Sequence, residues 1–176
     1  NHILNKFNYD FVLGSIHNLP DMDDFFFLDY KNYNVDELLT AYFEKELELA
    51  KWNGFDSLAH LTYPLRYIVG ESGISVDMSR YDDIIEEIFK TLIQNGKALE
   101  INTSGIAMKI GETLPNEKYI RLFREMGGEY ITIGSDAHVP DKICGNIEAG
   151  MDLARKCGFD NLTIFNHREP MVVPIM

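Results

Sequence analysis

The sequence predicts an α/β fold of parallel strands alternating with helices, and three observations carry that expectation. Short apolar runs rich in Val, Ile and Leu alternate with longer segments of helical periodicity. The runs are short and almost uniformly apolar, as parallel strands buried on both faces are. Most of them end in residues able to ionise or bind metal, and in such folds the working residues collect at the C-terminal ends of the strands.

The elements follow in order. "YDFVLGSIH" (9 to 17) reads as the first strand. "NVDELLTAYFEKELELAKWNG" (34 to 54) reads as a helix, with Leu38, Leu39, Tyr42 and Phe43 on one stripe. Asn34 and Glu37 form its expected capping pair, and Gly54 its expected stop. Between them, "PDMDDFFFLDYKNYN" reads as a long acidic and aromatic loop of the kind that often carries function. "FDSLAHL" (55 to 61) is the second strand. "SRYDDIIEEIFKTLIQNG" (79 to 96) is the clearest helix, its Ile and Leu residues on one face. "KALEINTSG" (97 to 105), "NEKYIRLFREMGG" (116 to 128), "EYITIGSDAH" (129 to 138) and "GNIEAGMDLARKCGF" (145 to 159) continue the alternation, and "NLTIF" (161 to 165) starts a final strand.

Bulk properties narrow the function. One domain, residues 1 to 176, accommodates the length. The net charge of -12 leaves no basic stripe for a phosphate backbone, so no nucleic-acid partner is expected. No apolar run reaches membrane-spanning length, and no membrane partner is expected. Cys144 and Cys157 lack metal-type spacing and read as free thiols of a reducing, cytoplasmic compartment.

The strand ends carry the chemistry. The first apolar run ends in His17, the second includes His60, the third runs into Asn102, Thr103 and Ser104, and the fourth ends in Asp136 and His138. Imidazole and carboxylate suit zinc, manganese or iron. On a strand, Asp136 and His138 would face the same side. His17, His60, Asp136 and His138 are therefore the expected metal ligands. His2 and His167, away from strand ends, are expected to be structural, and Trp52 to serve in packing.

"DFVLGSIH", "FDSLAHL", "LEINTSG" and "ITIGSDAH" occur in this order. Together they resemble successive motifs of the polymerase and histidinol phosphatase (PHP) superfamily, and most closely its histidinol-phosphatase branch. The resemblance implies a partial, distorted (β/α)7 TIM-like barrel, divalent metal ions and hydrolysis of a small phosphorylated substrate, L-histidinol phosphate. It assigns Asp136 and His138 to catalysis, with His138 open to acting as an acid. It assigns Arg66, six residues beyond His60, to the substrate phosphate, Asn102 and Ser104 to the wall of the site, and Lys109 to the place of a basic phosphate-binding residue. The family's His-x-His motif and its bridging Glu lie upstream of the "GSIH" strand and are not found here. The first strands are thus expected to lie outside this chain, with an upstream segment or a second copy covering the open edge. The alternative is a non-catalytic metal-binding or interaction fragment.

Overall fold

The computed structural model describes residue 4 and residues 6–176. His2 lies outside the described residues. Four short strands, β1 (Leu13–Gly14), β2 (Ser57–Leu58), β3 (Ala98–Asn102) and β4 (Ile131–Gly134), form one parallel sheet in sequential order β1-β2-β3-β4. Helices α1 (Val35–Trp52), α2 (Asp82–Gln94) and α3 (Glu117–Glu125) make the three crossovers, and α4 (Ile147–Lys156) follows β4. Each strand is shorter than its apolar run, because ladder pairing covers only part of each extended segment.

The helix boundaries follow local chemistry. Asn34 Oδ1 accepts hydrogen bonds from the Asp36 and Glu37 N–H groups, while its amide donates to Glu37 Oε1 at 2.9 Å. These bonds satisfy donors that the first turn would otherwise leave open. The stop of α1 falls one residue before the expected Gly54: Asn53 adopts the left-handed conformation (φ 59), which Asn tolerates. Trp52 is 45% exposed and lies over Gly54, a surface cover and not a core residue.

The apolar stripes of α1 and α2 pack together over Leu39, Tyr42, Phe43, Ile85, Ile88 and Phe89, all fully buried. Glu46 sits on the buried face of α1, and neither of its carboxylate oxygens meets a hydrogen-bond partner among the described residues.

The final strand differs from expectation. β5 (Asn161–Asn166) does not extend the parallel sheet; it pairs antiparallel with β6 (Glu169–Pro174) as a separate hairpin. The two-residue turn places His167 and Arg168 at φ 50 and 66, the sense that matches the twist of a hairpin. The hairpin passes beneath the N-terminal ends of the parallel strands. Thr163 Oγ1 accepts from the Ile131 N–H beside β4, the Phe165 ring stacks on Phe11 at 5.2 Å, and Arg168 pairs with Asp56 just before β2. Arg168 also donates to the Gly54 carbonyl, while the Arg168 and His167 N–H groups donate to Asp10. His167 therefore works in the turn. The described residues form an open four-stranded sheet with a hairpin, not a closed barrel. None of the described helices is long and apolar enough to cross a membrane.

Candidate active site

A cavity of about 600 Å³ lies along one face of the sheet, toward the C-terminal ends of the strands. Period-two alternation supplies its walls: Phe11, Leu13, Ser15 and His17 from the β1 segment, Glu100 and Asn102 from β3, and Thr132 and Gly134 from β4. His60, Asp136 and His138 complete the set of expected ligands along the same cavity.

His17 and His60 meet there directly, Nε2 to Nε2 at 3.1 Å, so one ring donates to the other. His60 is buried, and burial together with the neighbouring His17 lowers its pKa to about 4, leaving the imidazole neutral. Its Nδ1 is buried with no partner among the described residues. Its backbone is also unusual, with φ at 23. The Glu100 carboxylate holds that backbone by accepting the His60 N–H at 2.9 Å, and it accepts the Asn102 amide at 3.3 Å. Burial pushes the Glu100 carboxyl pKa up against the pull of those two bonds. A carboxylate inside the otherwise apolar run "ALEIN" was the available signal for Glu100, and the motif reading passed over it.

Gly134 makes room for Glu100: a Cβ there would lie 2.2 Å from Glu100 Oε1. Gly134→Ala is therefore expected to displace the carboxylate from the His60 N–H and to destabilise the fold by about 1–3 kcal/mol. Urea unfolding checks this, and an unchanged midpoint would show that Glu100 has slack.

Asp136 and His138 reach the cavity by a route other than strand alternation. β4 ends at Gly134, and Asp136 turns into the left-handed region at φ 51. Its Oδ2 accepts from Arg66 Nη2 at 2.9 Å, and the same Nη2 donates to Ser104 Oγ at 2.7 Å. Ser104 in turn donates to Asn102 Oδ1 at 2.6 Å, so Asn102, Ser104, Arg66 and Asp136 form one hydrogen-bonded chain. His138 is 83% exposed at the rim, and its Nδ1 lies 2.9 Å from the Asp136 carbonyl oxygen. Two non-glycine residues with positive φ at one cavity, His60 and Asp136, are the kind of backbone strain that functional sites hold. Lys109 is not among the residues lining the cavity. It is exposed, and its ammonium pairs with Glu71 at 2.7 Å. The exposed Cys144 and buried Cys157 are both free thiols.

Tyr63 is a second residue that the sequence reading missed. The segment after His60 winds in i to i+3 turns: Tyr63 N–H donates to the His60 carbonyl at 2.7 Å, and Arg66 N–H to the Tyr63 carbonyl at 3.2 Å. That period stacks His60, Tyr63 and Arg66 on one side. The Tyr63 ring packs against His17 and His60 at 4.8 and 4.9 Å and carries the Arg66 guanidinium at 5.2 Å. The three-residue spacing in "HLTYPLR" was the signal.

The donor set meets part of what a divalent ion needs. Two imidazole nitrogens converge, one of them on a ring held neutral, and a buried Nδ1 stands ready for a second polar partner. That chemistry fits zinc. Among the described residues, however, no three His, Cys, Asp or Glu side chains come close enough to share one ion. Asp136 is engaged by Arg66 instead.

A parallel α/β sheet thus carries imidazoles, acids and an arginine on its cavity face, and comparison with known proteins places it in a family. Residues 1–104 match the PHP domain. The chain belongs to the PHP domain family. It is 36% identical over 149 residues to a probable histidinol-phosphatase of Thermotoga maritima, covering 82% of this chain and 61% of that protein. It is 34% identical over 157 residues to a probable histidinol-phosphatase of Clostridium acetobutylicum, covering 88% and 60%. The crystal structure of the histidinol phosphate phosphatase of Lactococcus lactis, complexed with zinc, L-histidinol and phosphate, superposes with a TM-score of 0.80 at 24% identity, over 97% of this chain and 65% of that one. That likeness establishes the fold. The chain thus spans roughly three-fifths of the length of the curated relatives it matches.

Proposed function

We propose that this chain acts in a metal-dependent phosphomonoesterase that hydrolyses L-histidinol phosphate to L-histidinol and phosphate. The single observation that carries the reading is Arg66. Its guanidinium is buried at the cavity wall, oriented by Ser104 and Asp136 through one nitrogen, and its Nε meets no partner among the described residues. A guanidinium held in this way is suited to binding phosphate oxygens. Relatives at 34–36% identity named as probable histidinol-phosphatases support the substrate.

His17 and His60 would hold one divalent ion, with Asp136 a ligand of a second and His138 of a third. Zinc is the first choice for such donors; manganese and iron accept the same ligands. When bound, the ion polarises a phosphoryl oxygen and activates water. Arg66 binds and orients the phosphate, Asn102 and Ser104 fix Arg66, and Glu100 fixes the backbone of His60. His138, where it is not bound to an ion, would give a proton to the leaving alkoxide.

The test is phosphate release from L-histidinol phosphate with added zinc, alongside equilibrium binding of inorganic phosphate. Release above that of Asp136→Ala, with phosphate binding weakened at least tenfold in Arg66→Ala, is the expected result. A chain that neither binds nor releases phosphate would overturn the reading. Binding without release would favour a second reading, a phosphate-binding unit without turnover, which the lack of a three-ligand group among the described residues supports.

A further inference from the structure

The segment between β4 and α4 carries Asp136 and His138, and it has little of its own to hold it. Residues 137 to 144 are all exposed, Val139 and Ile143 among them, so no buried apolar side chain anchors the stretch. Its backbone enters the left-handed region at Asp136 (φ 51), at Cys144 (φ 59) and, on leaving, at Asn146 (φ 58). Residues other than glycine persist there only where the surroundings hold them. The bonds inside the segment are short-range turns: the Lys142, Ile143 and Gly145 N–H groups donate to the Val139, Pro140 and Lys142 carbonyls. They shape the segment and tie it to nothing else.

Among the described residues, two from outside hydrogen-bond to this stretch. Arg66 donates to Asp136 Oδ2, and Thr103 holds both ends. The Thr103 N–H donates to the Gly134 carbonyl at 2.8 Å, where the segment begins. Thr103 Oγ1 lies 2.7 Å from the Gly145 carbonyl oxygen and 3.2 Å from that of Gly134. The single hydroxyl hydrogen therefore goes to Gly145, where the segment ends, 42 positions away in sequence.

The setting of Thr103 suits it to this work. It directly follows β3, whose five residues are all buried, and it is itself fully buried, so water does not compete for the carbonyls. Threonine hydroxyls commonly bond to their own local backbone. Thr103 precedes a short helical turn (Ser104–Ala107), yet its side chain makes no capping bond there. Its methyl faces α4: a Cβ at Gly150 would lie 2.7 Å from Thr103 Cγ2.

We infer that Thr103 is a positioning residue: its hydroxyl clasps the end of the 135–145 segment to β3 and thereby sets where Asp136 and His138 stand against Arg66 and the His17–His60 pair. This inference rests on the phosphomonoesterase reading and adds to it a residue that acts only through others. The clasp separates two roles. Arg66 is oriented by Ser104 as well as by Asp136, so phosphate affinity survives loss of the clasp. Turnover needs Asp136 and His138 in place, and it does not survive.

The test compares Thr103→Val, which keeps the shape and removes the hydroxyl, with Thr103→Ser, which keeps the hydroxyl and removes the methyl, both in the whole chain. Each is followed by amide hydrogen exchange, by equilibrium binding of inorganic phosphate, and by phosphate release from L-histidinol phosphate with added zinc, expressed per folded chain. In Thr103→Val, exchange of the 135–145 amides is expected to quicken at least tenfold while α1 and α2 keep their protection. Phosphate affinity is expected to stay within about twofold, and turnover to fall at least tenfold. Thr103→Ser is expected to recover wild-type exchange in the segment and most of the turnover. Unchanged exchange in Thr103→Val, protection lost across α1 and α2 as well, full turnover from a loosened segment, or a Ser variant as impaired as the Val variant would each overturn the clasp. A wild-type chain that neither binds nor releases phosphate would count against the phosphatase reading instead, and exchange in the two variants would still decide whether Thr103 holds the segment.

Discussion

Glu46→Gln is expected to abolish most of the fall in stability that the wild-type chain shows between about pH 6.5 and pH 8. Glu46 is fully buried, and burial raises its pKa to about 8, with the neighbouring Tyr42 pulling weakly the other way. In the unfolded chain a glutamate titrates near ~4.3. Between those values the folded state holds a proton that the unfolded state has released, so raising the pH favours unfolding. The penalty is absent below the unfolded pKa and complete above about pH 8. Its ceiling is on the order of 5 kcal/mol. His60 acts in the opposite sense in a lower window. Its pKa is lowered to about 4, so its contribution is lost as the pH falls from about 6.5 toward that value. The two slopes offset each other between about pH 4.3 and 6.5, so stability should be nearly level there and fall from about pH 6.5 to pH 8. Subtracting the Glu46→Gln profile from the wild-type profile isolates the glutamate. Urea unfolding at pH 5.5, 7 and 8.5 provides both profiles, and parallel curves would refute the assignment.

The second large effect is expected at the hairpin tip. The Asp56 side chain is 3% exposed and pairs with Arg168, whose Nη2 lies 2.8 Å and Nε 3.1 Å from Oδ1. Asp56 Oδ2 also accepts the Val12 N–H at 2.8 Å, tying β1 to β2 at their N-terminal ends. Arg168→Ala strands a buried carboxylate with one remaining strong donor, and a loss of about 3 kcal/mol is expected. Asp56→Asn keeps an acceptor for Val12 and should cost less. In a double-mutant cycle the two changes should couple by roughly 2 kcal/mol. Additive losses would mean that water screens the pair.

The helices and the order of the elements were legible because apolar periodicity and capping residues act locally. Asn34 and the stripe of α1 needed no tertiary information. The hairpin was not legible as a hairpin. Its turn residues, His167 and Arg168, lack the glycine or asparagine that signals such a turn, and the positive φ angles accompany a bond from Arg168 to Asp56, 112 positions away. The partial TIM-like barrel was an expectation of the family resemblance, whereas the described strands form an open four-stranded sheet and a separate hairpin. At the site, His17, His60 and Asp136 could be found because strand ends are visible as ends of apolar runs. Tyr63 and Glu100 were hidden in segments that read as turn and core, and their roles depend on side-chain direction. Lys109 was placed by motif position alone, and its side chain follows Glu71.

The span of the hairpin's bonds bears on when this protein becomes whole during folding. Each strand of the sheet pairs with the next in sequence, so the β-α-β units can assemble one after another through modest loops. Arg168 to Asp56 and His167 to Asp10 close loops of 112 and 157 residues, at a larger closure entropy than the pairing of neighbouring strands. Those bonds are expected to form after the barrier is crossed. Arg168→Ala should then leave the refolding rate nearly unchanged and accelerate unfolding, shortening the lifetime of the native chain. The same residue that joins the N-terminal ends of β1 and β2 would thereby set how long His17 and His60 stay face to face.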